Sequence, residues 1–187
     1  MVTMDGFITS HCMEGVAVCD DEQVRNFLGT WQPERYLLDV ARPYTLGAID
    51  LQDYCFEHRY QVYESMRAAV VAILDVAQDF QRDFGREYGL YEKYRMDGAE
   101  IALVIVGSAA GTAKVVIDDL RSRGVKVGMI KIRVFRPFAH AELAHDLSAV
   151  QALAVMDRSE SCSGAPPVHF TRKSRPPSIH IWAETGR

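Results

Sequence analysis

The stretch from Ile101 to Met156 constrains this chain more than any other part of it. Ile101-Ala-Leu-Val-Ile-Val106 is apolar throughout. It is long enough for a strand and too short for a helix, as expected of a strand covered on both faces. Gly107-Ser108-Ala109-Ala110-Gly111-Thr112 predicts a turn into a helix over Ala113–Arg123, which Gly124 closes. Val125–Ile132 predicts a second strand, Arg136-Pro137-Phe138 a turn, and Ala139–Leu147 a short helix. Leu153-Ala154-Val155-Met156 predicts a third strand that ends at Asp157. Strand, helix, strand, helix, strand in that order implies crossovers of one hand and a parallel sheet with helices against it. The predicted class is therefore α/β, a three-layer open and mostly parallel sheet.

Upstream of the sheet the pattern differs. Tyr63, Met66, Val70, Ile73, Leu74, Ala77, Phe80 and Phe84 recur at three- and four-residue steps, which predicts one long helix over 58–84, ended by Gly85. Tyr88 to Arg95 is a short tyrosine-rich link. Residues 12–57 show little periodicity and carry Gly29, Pro33, Pro43 and Gly47. They read as a long irregular segment whose aromatics, Trp31 and Tyr36 among them, pack against something. Met1-Val2-Thr3-Met4 reads as a short apolar strand that takes its neighbours from elsewhere.

Composition excludes several functions. A net charge of −4 and a pI near 5.9 give no basic surplus for nucleic acid. No apolar run approaches the length of roughly 20 residues that a membrane helix needs. The four cysteines, Cys12, Cys19, Cys55 and Cys162, form no C-x-x-C pair, so they read as reduced thiols in a cytoplasmic protein rather than as metal ligands.

Four places in the chain carry residues suited to chemistry or binding. Gly107 to Thr112 with Lys114 invites an anion-binding loop, yet it fits neither G-x-G-x-x-G nor G-x-x-x-x-G-K-[ST], and a tight strand-to-helix turn is the better explanation. Asp157 and Arg158 stand at the carboxyl end of a strand, where open α/β sheets place ligands and partners, and a local Asp–Arg pair on the surface explains them equally. Arg133, Phe135, Arg136 and Phe138 form an arginine-aromatic corner of the kind enriched at interfaces, and one that could also clamp a carboxylate. Asp5, Thr9, Ser10 and His11 group polar side chains after the first apolar run, and they serve either loop hydrogen bonding or a nearby active site.

Taken together, Met4-Asp-Gly-Phe-Ile-Thr-Ser-His11, Phe84-Gly-Arg-Glu-Tyr-Gly-Leu90, Ala102 to Lys114, Lys131-Ile-Arg-Val-Phe-Arg-Pro-Phe138 and Met156-Asp-Arg-Ser159 resemble, in order and spacing, the alpha subunit of pyruvate:ferredoxin oxidoreductases. The resemblance covers about residues 1–163 and matches the C-terminal portion of that subunit. It implies that 1–20 is the end of a domain for the pyrimidine of thiamine diphosphate and 21–97 a wrapping linker. It further implies that 98–163 is a domain similar to the C-terminal domain of transketolases. Residues 164–187 depart from the family and read like translation in a shifted frame.

The implied reaction converts pyruvate and CoA to acetyl-CoA and CO2 with electrons passing to ferredoxin. Thiamine diphosphate, Mg2+ and [4Fe-4S] clusters belong to the whole complex, with beta, gamma and delta type subunits as partners. This chain is expected to hold none of those cofactors alone and to supply scaffold and interfaces. Two other readings stand beside it: a free-standing α/β module binding CoA or a nucleotide at Gly107–Thr112, and a ligand-free oligomerisation piece.

Overall fold

The structure is a computed structural model that describes residues 1–6, 8–36, 38–44, 47 and 49–157, and the backbone of Ile181–Trp182. The chain divides into two compact units, Met1–Gly15 with Tyr88–Arg187, and Val16–Glu87.

The first unit is built on a five-stranded sheet of order β1-β3-β2-β4-β5, comprising β1 (Tyr91–Tyr94), β2 (Ile101–Val106), β3 (Val127–Ile132), β4 (Ala152–Met156) and β5 (Ile181–Trp182). β2 pairs in parallel with both β3 and β4, and β5 pairs in parallel with β4. β1 runs antiparallel to β3, so the sheet is mixed and mostly parallel, as predicted. Helices α3 (Ala109–Ser122) and α4 (His140–Asp146) connect its parallel strands.

Strand alternation sorts the core into two layers. On one face Ile105, Val127 and Met129 pack with Ala110 and Ile117 of α3, flanked by Tyr94, Leu103 and Leu120. The register places Ala102, Val104, Ile130, Ile132 and Leu153 on the opposite face. All five are buried there, as are Ala139, Leu143, Leu147 and Val150 of the α4 region. Each fully buried Ile, Leu, Met or Val contributes roughly 1.5–3 kcal/mol relative to exposure.

The edge strand β1 clips both helices because its side chains alternate between the faces. Tyr91 donates to Asp146 Oδ2 at 2.7 Å and Lys93 lies 3.3 Å from the same carboxylate, at the end of α4. Glu92 pairs with Lys114 of α3, and Tyr94 donates to Asp118 of α3 at 2.5 Å. Sequence reading treats these residues as a link. The strand is short and charged, so it lacks the apolar run that marks β2, and its pairing with β3 becomes visible only in the fold.

Other boundaries shift as well. α3 starts at Ala109, earlier than the predicted Ala113, because the turn needs only Gly107, at φ +81°, and Ser108. β3 begins at Val127 rather than Val125. Met1–Met4 forms no strand, and Met1 and Val2 are exposed. An isolated segment without a ladder partner leaves its backbone groups to water. The backbone of Ile181–Trp182 adds a short strand inside the tail, where none is predicted. The remainder of 164–187, and Arg158, Ser159 and Cys162, lie outside the described residues.

The second unit contains α1 (Asp21–Leu28) and α2 (Cys55–Phe84). α1 interrupts the predicted irregular segment. Asp20 caps it by accepting the Glu22 N–H at 2.9 Å and the Gln23 N–H at 3.3 Å. Phe27 sets its ring edge-on to Phe80 and Phe84 of α2, with centroids 5.6 and 5.3 Å apart. α2 starts three residues before the predicted helix and ends, as expected, at Gly85 in the left-handed conformation. Its predicted stripe is half-buried at Val70, Ile73, Ala77, Phe80 and Phe84, while Tyr63 and Met66 are exposed.

Candidate site at the carboxyl edge of the sheet

In a parallel sheet the loops after the strands gather at the carboxyl edge. Here β2 ends at Gly107-Ser108, β3 runs into Arg133, and β4 ends at Asp157. The N-terminal turn joins them through Asp5. The half-buried Asp5 carboxylate accepts the Ser108 hydroxyl at 2.5 Å and the Ile8 N–H at 2.8 Å. Its turn is closed by the Ile8 carbonyl, which accepts from the Cys12 N–H at 2.9 Å. Thr9, Ser10 and His11 are exposed on it, with Ser10 Oγ and His11 Nδ1 2.6 Å apart.

Glu92 supplies a second cluster. Its carboxylate meets Lys114 on one oxygen and Arg133 at 2.8 Å on the other. Burial alone would raise this carboxyl, but Lys114, then Arg133 and Lys131, outweigh it and hold it below the ordinary carboxylate range. Arg133 also lies over the Tyr88 ring, 4.8 Å from its centroid. The corner predicted as a clamp or interface is therefore split. Arg133 pairs with Glu92 and Tyr88 inside the unit. Phe135, Phe138 and His140 form an edge-to-face chain with centroids 6.2 and 4.8 Å apart. Phe135 and Arg136 are exposed, and Phe138 is half-buried.

Sequence reading places Asp5 with Ser10 and His11, and the structure keeps them on one turn. It misses Ser108 as Asp5's partner and Glu92 as a hub. Nothing local marks either, because each bond spans distant parts of the chain. Among the described residues no three His, Cys, Asp or Glu side chains are grouped to hold a metal ion. Ser10 and His11 are exposed on the turn. Among the described residues the edge carries an open turn with Ser10 and His11 on it.

Two family models match this chain. "Pyruvate flavodoxin/ferredoxin oxidoreductase, thiamine diP-bdg" matches residues 1–78, and "Pyruvate:ferredoxin oxidoreductase core domain II" matches residues 99–172. The pyruvate synthase subunit PorA of Thermotoga maritima is 41% identical over 174 residues, which is 93% of this chain and 44% of that protein. The chain belongs to the pyruvate:ferredoxin oxidoreductase family. The PorA subunit of Methanocaldococcus jannaschii is likewise 41% identical over 163 residues, covering 86% of this chain and 42% of that protein. The family also reaches another 2-oxoacid. The ketoisovalerate oxidoreductase subunit VorA of Pyrococcus abyssi is 36% identical over 162 residues, 86% of this chain and 41% of that protein. The chain spans less than half the length of each of these curated relatives. The sheet just described lies largely in the part matched as core domain II.

Proposed function

We propose that this chain is the C-terminal portion of the alpha subunit of a thiamine-dependent 2-oxoacid:ferredoxin oxidoreductase. Its substrate is pyruvate, converted with CoA to acetyl-CoA and CO2 as electrons pass to ferredoxin. The observation that carries this reading is the PorA match, 41% identity spread over 93% of the chain.

In this reading residues 1–20 close the thiamine-side domain, 21–97 wrap the assembly and 98–163 form the second domain. Thiamine diphosphate supplies the nucleophilic thiazolium when bound, and Mg2+ and [4Fe-4S] clusters sit on other polypeptides of the cytoplasmic complex. The described residues of this chain do not fit those groups by themselves. The Asp5 carboxylate is engaged by Ser108 and Ile8, Ser10 and His11 stand open, and no metal-ligand group forms. The chain's own work is accordingly to hold the 5–12 turn at the sheet edge and to present surfaces to beta, gamma and delta type subunits. Arg133, Phe135, Arg136, Phe138, Asp157 and Arg158 are the residues proposed for such surfaces.

A free-standing CoA or nucleotide module is disfavoured, because Asp5 places a carboxylate at the turn such a phosphate would occupy. Co-expression with beta, gamma and delta type subunits and with the rest of the alpha subunit tests the assignment. A stoichiometric complex by native mass is expected. A chain that stays apart from all of them, while thermal shift shows stabilisation by CoA, would replace this reading with the binding module.

A further inference from the structure

Serine is favoured just ahead of a helix because its hydroxyl accepts the free N–H groups of the first turn. Ser108 holds that position before α3 and makes no such bond. Its hydroxyl donates instead to Asp5 Oδ2 at 2.5 Å, across a separation of 103 residues. The same oxygen accepts the Ile8 N–H at 2.8 Å. The Ile8 carbonyl then accepts from Cys12 at 2.9 Å and from His11 at 3.3 Å. Ser10 Oγ and His11 Nδ1 complete the path, 2.6 Å apart. A continuous line of hydrogen bonds therefore runs from the β2–α3 turn into the turn that carries Ser10 and His11. Among the described residues of that turn, Gly6 and Ile8 to Cys12 are exposed, so their own burial competes little with these bonds. A hydroxyl bonded to a carboxylate is among the stronger neutral-to-charged bonds available for the purpose. A local preference set aside in favour of a distant partner marks a place where tertiary demands decide the residue.

We propose that Ser108 is a positioning residue: acting through Asp5, it holds the 5–12 turn and its Ser10–His11 pair in one conformation at the carboxyl edge of the sheet. The tether follows from the geometry alone, and its effect on turnover rests on the oxidoreductase reading. Ser108→Ala removes the tether without removing a cap, so α3 keeps its own bonds.

Fast hydrogen exchange on the full chain tests the tether. Ser108→Ala is expected to speed exchange of the Ile8, His11 and Cys12 amides by about tenfold while β2 and β3 keep their protection, and Ser108→Thr restores the slow rates. Unchanged exchange at those three amides overturns the proposal. Should Ser108→Ala also expose β2 and β3, Asp5→Asn decides from the other side of the bond, because it keeps an oxygen for the Ile8 N–H while weakening the bond from Ser108: faster exchange at His11 and Cys12 supports the tether and unchanged exchange there overturns it. In the assembled oxidoreductase, Ser108→Ala is expected to lower kcat roughly three- to tenfold with KM for the 2-oxoacid unchanged, and Ser108→Thr to recover it. Faster exchange with unaltered kcat would reduce Ser108 to a structural role and overturn the positioning claim. An assembly that is inactive even with the parent chain sinks the oxidoreductase reading, and the exchange rates then judge the tether by themselves.

Discussion

Gly128 sits in β3 where the segment after β1 crosses the sheet face. A Cβ there would lie 2.6 Å from the Arg95 carbonyl oxygen and 2.8 Å from Met96 Sδ. The backbone oxygen cannot move without β1, so Gly128→Ala should cost about 1–3 kcal/mol, read as a lower denaturation midpoint. Glu92 and Asp146 are two of the carboxyls, with Asp118, whose lowered values should make the unit acid-sensitive. Burial would raise Asp146, but Tyr91, Lys93 and His145 together hold it below the ordinary value, as Lys114 and Arg133 do for Glu92. A carboxyl lowered in the folded state contributes stability above its unfolded pKa of about 4 and loses it as pH falls through the folded value. Unfolding midpoints should therefore drop below about pH 4, and the double change Glu92→Gln with Asp146→Asn should flatten that drop. A drop of the same steepness in the double variant would assign it elsewhere. At this scale the sequence shows Asp5, Ser10 and His11 because polar types cluster within one turn. It hides Ser108 and Glu92, whose partners are set by the path of the chain.

At the scale of elements, legibility follows the strength of the local pattern. β2 and β4 are continuous apolar runs, β3 is apolar apart from Gly128 and Lys131, and all three stand close to where the sequence puts them. β1 is legible only through β3, since Tyr91-Glu-Lys-Tyr94 carries no strand period. α1 has only 8 residues, yet Asp20, Asp21 and Glu22 mark its start and Gly29 its end. Such a short helix depends on its cap and on the Phe27 contact rather than on propensity. Asp20→Ala should cost about 1 kcal/mol and raise exchange through Asp21–Leu28 before it affects the middle of α2. Uniform exchange along both helices would show that they melt together. α2 reads correctly in type and stop signal, but 30 residues with none fully buried leave exposed Phe56, Tyr60, Tyr63 and Met66 on its surface. Periodicity predicts which face is apolar and says nothing of whether it is covered.

At the scale of the molecule, the ordered set of short matches is informative where no single motif is. The family models cover 1–78 and 99–172, and the sheet's order and direction agree with the predicted α/β class. The reaction is not legible in the described geometry, because Ser10 and His11 lie open and no metal group forms there. What the described residues show is a sheet whose carboxyl edge carries a turn bonded to it through Asp5 and Ser108. The direct test supplies the rest of the alpha subunit and the partner subunits with this chain and follows pyruvate- and CoA-dependent reduction of a low-potential dye. The account predicts reduction that requires this chain and both substrates. A complete assembly that reduces the dye equally well without this chain would contradict it.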